Sequence, residues 1–332
     1  MKSDKIIYSV LLFAIVITGV TSFYYALKAL QNNPSMEKAV SKESSGLHFV
    51  LIPQETDNDY WRLVEKGARK AEKEQHVTLE YNGPKKSSVS SHIEWIEKAI
   101  ASKVDGIITQ GLQDEAFRPV INKAIAKGIP VVTIDTDAPS SNRSAYVGTD
   151  NYQAGFLAGK ALIKDTGGKA NVGIITGSFD TRNMQLRVQG FKDALQQSSN
   201  VHILDIRESH ITRIQAAEKT EQMIQKHPEI DAFFGTSALD CFGIVSSLQQ
   251  RGRIDGTYII AFDTLPETLD LIREGIVDAT VEQTPYQMGY ESVNLIKSIT
   301  QGNKVSKIHH TDTSIIRKQN LEPIKVKKEI MP

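Results

Sequence analysis

Asp57, Asn58, Asp59, Tyr60 and Trp61 are consecutive, so one short stretch offers carboxylates, an amide and two flat rings. That mixture suits a polyhydroxy compound. A sugar ring presents hydroxyls around its edge and C–H faces above and below, so carboxylates and amides grip the rim while aromatic rings cover the faces. The same residues also fit a plainer use, in which Tyr60 and Trp61 pack into a core where a helix begins. Asp135, in the segment DTDAP, is a further candidate, with a turn residue as its competing reading. Catalytic motifs do not accompany these residues. There is no G-x-S-x-G, no H-E-x-x-H and no G-x-G-x-x-G after the first apolar run. The segment from Gly155 to Ala161 is one residue short of a phosphate loop and lacks its Ser or Thr.

Elements that place these residues follow from hydrophobic spacing. Leu47–Ile52 is a short β-branched and aromatic run suited to a buried parallel strand, and Leu63, Val64, Gly67, Ala68 and Ala71 recur at helical spacing after it. The polar loop between them therefore lies outside the carboxyl end of a strand, where open α/β sheets hold small ligands. Alternation continues through strand Val77–Asn82, helix Ser87–Ser102, strand Asp105–Thr109, helix Asp114–Lys127 and strand Pro130–Ile134. Gly128 before Ile129-Pro130 is a helix stop. Asp135 falls immediately beyond the last of these strands. After a short strand at Ala145–Gly148, a helix opens at Asp150-Asn151 and the series restarts. The second set comprises strands at Ala170–Thr176, Val201–Arg207, Ile230–Phe234 and Tyr258–Phe262, with helices Arg182–Gln197, Ile211–Lys226 and Leu239–Gln249 between them. Helix Pro266–Arg273, strand Val277–Val281, helix Tyr286–Thr300 and one extended segment near Thr311–Arg317 complete the pattern. Such βαβ series predict parallel sheets with right-handed crossovers, and 332 residues suit two lobes.

Composition narrows the partners. Lys plus Arg and Asp plus Glu number 39 each, so no net field draws the chain to nucleic acid or acidic lipid. Cys241 is the single cysteine, which excludes an internal disulfide and a thiolate metal cluster, and the eight histidines show no metal-ligand spacing. No cofactor is expected. Ile6–Leu27 carries no charge, and as a helix it would span roughly 33 Å, enough for a hydrocarbon core of about 30 Å. Phe23, Tyr24 and Tyr25 stand where a cleaved signal would carry small residues, so residues 6–27 are expected to be an uncleaved single-pass anchor. No cysteine follows the run to accept a lipoprotein lipid. Residues 28–46 read as a stalk holding an extracytoplasmic part near the cell membrane.

Several segments, in order, resemble the ribose-type periplasmic sugar-binding proteins, whose fold also serves as the effector domain of LacI-type repressors. They are DNDYW, GIPVVTIDTD, YVGTDNYQAG, RVQGFKDAL, IIAFDT and DATVEQTPYQMG, and the resemblance runs from about Leu47 to Arg317. It implies an α/β protein of two doubly wound parallel-sheet lobes, the type 1 periplasmic binding fold, here after an N-terminal transmembrane helix. Residues 47–149 with 284–311 would form lobe 1, and 150–283 with 312–324 lobe 2. The ligand would lie between them.

Carried over by the same resemblance, Asn58, Tyr60 and Trp61 supply an amide and two stacking rings from lobe 1, and Asp135 grips adjacent hydroxyls. Arg187 opens a lobe 2 helix and donates to ligand oxygens, while Asp263 and Gln283 supply a further carboxylate and amide. Three departures from the family pattern bear on ligand identity. Thr136 stands where many relatives carry arginine, Ile211 stands near an aromatic position, and Ser237 replaces an amide, with Asp240 expected to compensate from the next turn of chain. The expected function is capture of a monosaccharide or sugar-like polyol, without chemistry, for a membrane sensor histidine kinase in preference to an ABC permease. A LacI-like regulator is an alternative lacking its helix-turn-helix. A sugar-processing enzyme using Asp135 and Asp263 as an acid–base pair is the other.

Overall fold

The computed structural model describes residues 17–24 and 46–321. Two compact units make up the chain, residues 1–46 and residues 47–332. In the first, residues 17–24 are helical, with Ile17, Val20, Phe23 and Tyr24 exposed. Among the described residues no helix is long and apolar enough to cross a membrane. The expected anchor over 6–27 and stalk over 28–46 fall largely outside the described residues.

The second unit begins with β1 (His48–Ile52), α1 (Asp59–Gln75), β2 (Thr78–Tyr81), α2 (Val89–Ala101), β3 (Gly106–Thr109), α3 (Asp114–Ala126), β4 (Val131–Ile134) and β5 (Ala145–Thr149). It continues with α4 (Asn151–Asp165), β6 (Lys169–Thr176), α5 (Arg182–Leu195), β7 (Asn200–Glu208), α6 (Arg213–Lys226), β8 (Ala232–Gly235), α7 (Asp240–Gln250) and β9 (Tyr258–Phe262). The last elements are α8 (Pro266–Glu274), β10 (Ala279–Glu282), α9 (Pro285–Thr300), β11 (Ile308–Thr311) and β12 (Ser314–Arg317). Two six-stranded sheets result, ordered β11-β5-β4-β3-β1-β2 and β12-β10-β9-β8-β6-β7.

Strand alternation sets the layers. Phe49 and Leu51 enter one apolar cluster with Tyr60, Trp61 and Val64 of α1, whereas Val50 and Ile52 face the other way, onto Ile96 of α2 and Phe117 of α3. Sheet two repeats this, with Phe234 and Ile260 against α4 and α5, and Phe233 and Ile259 against α6 and α7. Both faces of each sheet are covered, which is why the central strands read as continuous apolar runs.

Two helices change sides. Although α4 follows β5 of sheet one, its Ala154, Ala158 and Leu162 pack with Phe191 and Val172 over sheet two. Conversely, α9 follows β10 of sheet two, and its Met288, Val293 and Ile296 pack with Phe49 and Val64 over sheet one. Each transferred helix lies against the first helix of its adopted lobe at a glycine contact. A Cβ on Gly155 would sit 1.9 Å from the Arg187 carbonyl oxygen, and one on Gly289 would sit 2.0 Å from that of Val64. Reciprocal glycines, Gly190 and Gly67, complete the two crossings.

Two local expectations are corrected. The single extended segment near 311–317 is instead two strands: β11 pairs parallel with β5, and β12 pairs antiparallel with β10. Only Asp312 and Thr313 separate them. A chain leaving sheet one at its carboxyl edge meets the carboxyl edge of sheet two, so it can only run backwards along β10. Sheet two is therefore parallel except at this edge. Helix α6 starts at Arg213 because His210 and Ile211 hold φ of 49° and 55°, and the Thr212 side chain caps Gln215 N–H.

The glycine crossings generate a test. Gly190→Ala puts a methyl 2.0 Å from the Tyr152 carbonyl oxygen, and overpacking of this kind costs about 1–3 kcal/mol. That exceeds the helix-propensity gain of up to about 1 kcal/mol. Urea unfolding should show a lower midpoint with an unchanged m value; a raised midpoint would show that α4 and α5 do not touch here.

Candidate functional site

Strands β4 and β9 end alike. Asp135 and Asp263 follow them with φ of 62° and 72°, in the left-handed region that Asp tolerates better than most side chains. Each main-chain N–H donates to the neighbouring strand, to Val147 O at 3.0 Å and Val281 O at 2.8 Å. Each carbonyl oxygen accepts a hydroxyl, from Tyr146 at 2.9 Å and Thr280 at 2.8 Å. The two carboxylates are close enough to influence each other, and Tyr60 feels both.

Asp135 is buried within a ring of donors. Tyr60 OH donates to Oδ1 at 2.8 Å, and Oδ2 accepts from Gln110 Nε2 at 2.7 Å, Thr136 Oγ1 at 2.9 Å and Asn183 Nδ2 at 3.4 Å. Burial, with Asp135 and Asp263 nearby, pushes the Tyr60 phenol well above its usual value, so it stays an O–H donor. Thr136, read from sequence only as a missing arginine, thus contributes its hydroxyl to the carboxylate.

Arg187 is 2 % exposed, and three protein oxygens hold its guanidinium. Nε donates to Asn151 Oδ1 at 2.8 Å, one terminal nitrogen to Thr236 O at 2.8 Å and the other to Gln283 Oε1 at 3.2 Å. The Phe262 ring lies beneath it, 3.8 Å from centroid to Cζ. Gln283 also accepts from Thr149 Oγ1 at 2.7 Å and donates to Asp263 Oδ1 at 2.7 Å. The hinge crossings at 149–151 and 283 are therefore wired through one arginine and one amide.

Remaining sequence candidates divide. Asn58 caps α1, its Oδ1 accepting from Tyr60 N–H at 2.9 Å. Trp61 lies in the apolar cluster of sheet one, edge-on to Tyr60 with centroids 5.5 Å apart, so its packing role is plain. Asp240 is fully buried and braces the lobe from within: Oδ1 accepts from Ser209 Oγ at 2.6 Å and Oδ2 from Ser237 N–H at 2.8 Å. Ser237 stands beside Gly177, near Ile211 and Met184. Among the described residues, Ser237 Oγ and Gln110 Oε1 are buried without a hydrogen-bond partner.

Gln110, Thr149, Asn151 and Asn183 escaped the sequence reading. Position was the available signal. Gln110 follows β3 as Asp135 follows β4, and Asn183 occupies the first turn of α5 as Tyr60 does that of α1. A hollow of about 940 Å³ lies elsewhere, lined by Leu47, Ile100, Val104, Ile129 and Ile299 near the amino edge of sheet one. Lys103, Asp105, Lys127, Ser144 and Thr300 also line it.

Burial pushes the Asp263 carboxyl up to about 6, and Asp135 adds to the rise against the opposing pull of Arg187 and Gln283. An unfolded Asp titrates near ~3.9, so between about pH 4 and 6 the folded chain holds the extra proton. The resulting stabilisation is complete below that window and lost as pH rises through about 6. Relative to Asp263→Asn, the parent chain should lose about 2 kcal/mol of unfolding free energy between pH 4 and 7, at no more than about 1.4 kcal/mol per unit. Parallel urea-stability profiles of the two proteins across that range would contradict this assignment.

Comparison with known proteins agrees with this architecture. A family model described as a periplasmic binding protein domain matches residues 49–304. GanP, a glucose-galactose binding protein from Geobacillus stearothermophilus, is 56% identical with a TM-score of 0.82, over 83% of this chain and 99% of that one. XylFII in the XylFII–LytSN complex is 37% identical with a TM-score of 0.79, over 83% of this chain and 99% of that one. The D-ribose/D-allose-binding protein of Pseudomonas aeruginosa is 27% identical over 282 residues, 82% of this chain and 85% of that protein. These relatives are binding proteins and not enzymes. With its two wound sheets, the paired aspartates at their carboxyl edges and a family match across most of its length, the chain belongs to the ribose-type periplasmic sugar-binding proteins.

Proposed function

We propose that the chain captures one neutral monosaccharide between its lobes, an aldohexose of the glucose or galactose type, and presents the closed form to a membrane partner. The observation that carries this reading is the buried polar ring around Asp135, Arg187, Asp263 and Gln283, together with the partnerless Gln110 Oε1 and Ser237 Oγ. A buried oxygen without a donor costs about 1–3 kcal/mol, and a sugar hydroxyl supplies that donor. Carboxylates on both lobes accept from hydroxyls, and Arg187, Asn183 and Gln110 present nitrogen atoms beside them. Ile211 and Ser237 are smaller than the aromatic and amide expected there, which leaves room for the hydroxymethyl arm that separates a hexopyranose from a pentose. The relationship to GanP supports the same sugar class.

For the partner we favour a membrane sensor histidine kinase. A related chain, XylFII, occurs in complex with a second protein, LytSN, and the charge-free run 6–27 suits tethering beside such a partner. Lobe closure then biases the partner's two states through its differential affinity for the closed form.

Calorimetric titration of the full chain in detergent should give glucose or galactose at least tenfold tighter binding than ribose or xylose. Pentose preference would remove the hexose assignment, and no heat with any sugar would remove the ligand class. Asp135→Ala should weaken the preferred sugar about 30-fold, the equivalent of about 2 kcal/mol. Affinity purification from membranes with and without sugar addresses the partner: recovery of permease subunits and no kinase would defeat the sensor reading.

A further inference from the structure

Two consecutive residues in the turn between β7 and α6, His210 and Ile211, hold φ of 49° and 55°. For a β-branched side chain the left-handed region is an outlier, and such strain persists only where the surrounding structure imposes it. Ser209 imposes it here. Its N–H donates to Thr176 O at 2.9 Å, and its carbonyl oxygen accepts from the Thr212 N–H and Oγ1 at 3.1 Å each. Its Oγ accepts from Ile211 N–H at 3.2 Å and donates to Asp240 Oδ1 at 2.6 Å. The other carboxylate oxygen takes Ser237 N–H at 2.8 Å, and the Asp240 N–H returns to Ser237 O at 3.2 Å. Both Ser209 and Asp240 are fully buried. A Cβ on Gly235 would sit 2.9 Å from that of Asp240, so a glycine at the end of β8 lets the aspartate tuck in. What the turn delivers is the Ile211 side chain. A Cβ on Gly177, just after β6, would meet Ile211 Cγ1 at 2.9 Å, Ser237 Cβ at 3.1 Å and Met184 Cε at 3.2 Å. Ile211 therefore lies across the carboxyl end of sheet two beside Ser237.

We propose that Asp240 is a positioning residue for sugar selectivity: through Ser209 it keeps the strained turn left-handed, and the turn holds Ile211 as the apolar wall against the hydroxymethyl arm. The inference rests on the hexose reading above. Asp240 itself does not meet the sugar. Hydrogen bonds run in one direction from Ile211 N–H through Ser209 Oγ to Asp240 Oδ1, the hydroxyl accepting once and donating once. An apolar residue at position 240 removes the final acceptor and strips Ser237 N–H of its partner. An amide there keeps the arrangement by reversing it. Its oxygen accepts from Ser237 N–H, its NH₂ donates to Ser209 Oγ, and the Ser209 proton turns to Thr176 O, 3.3 Å away. The site therefore tolerates Asn and not Ala, although both substitutions remove the charge.

The experiment titrates the full chain in detergent with the tighter of glucose and galactose, and with the pentose that lacks its hydroxymethyl arm. Parent, Asp240→Ala, Asp240→Asn and Ser209→Ala are compared. The hexose-to-pentose affinity ratio should fall from about tenfold to below about threefold in both alanine variants, and stay within about threefold of the parent in Asp240→Asn. Combining Asp240→Ala with Ser209→Ala should lower the ratio no further, because the two residues act as one unit. Parent-like ratios in both alanine variants would overturn the proposal, and so would an Asp240→Asn variant that fails as Asp240→Ala does. If Asp240→Ala does not fold, Ser209→Ala, which deletes one oxygen, decides together with Asp240→Asn. If the parent shows no preference for hexose, the ligand reading fails by itself. Hydrogen exchange at the Ile211 amide then judges the brace: exchange about tenfold faster in Asp240→Ala and parent-like in Asp240→Asn upholds it, and equal exchange in all three removes it.

Discussion

A guanidinium taken out of water must find its partners in the protein, and Arg187 finds them by drawing together segments far apart in sequence. Removing an ion from solvent costs several kcal/mol even after relaxation. That cost is offset here by three oxygens, one aromatic face and the nearby Asp263 carboxylate. Those partners lie after β5, after β8, at the end of β9 and after β10. Positions of the hinge strands, of α5 and of the lobe 2 carboxylate are thus interdependent. Shift any one of them and a buried charge loses a contact.

Around that centre the two lobes repeat one another. Each ends a central strand in a left-handed aspartate, anchors the aspartate's N–H on the next strand, and ties its carbonyl with a hydroxyl. The halves differ in how that aspartate is held. Asp135 is ringed by neutral donors, whereas Asp263 is held by Gln283 and lies in the field of Arg187. One carboxylate is held by neutral hydrogen bonds alone and the other by a hydrogen bond within the field of a charge, so the two walls of the cleft differ electrostatically.

Much of this was visible in the amino-acid sequence. Apolar periodicity located the strands and helices because every central strand is covered on both faces and every helix has one buried stripe. Asp135 could be picked out because it immediately follows a strand. Gln110, Asn151 and Asn183 could not, since an amide in a loop or first helical turn carries no local mark of a partner 25 or more residues away. Trp61 is a residue for which two uses compete. Its neighbours suggested a stacking surface, yet β1 alternation sends Phe49 and Leu51 toward the same space, and the ring joins them. Apolar periodicity did not separate β11 from β12, because both strands are short and extended; the lobe boundary at 311/312 came from the family resemblance alone.

Exchange of α4 and α9 between the lobes has a consequence for how the chain is made. One face of the lobe 1 sheet is covered only in part, by α1, until α9, near residue 300, has left the ribosome, although its first five strands are finished by Thr149. Its edge strand β11 comes later still. A nascent chain stopped anywhere before that point carries an unfinished sheet with exposed apolar side chains, so nucleation on contiguous sequence favours lobe 2, most of whose core lies within residues 151–282, with Ile316 and Leu321 joining it last. Neither half is finished before residues 308–317 have emerged, since β11 closes sheet one and β12 closes sheet two.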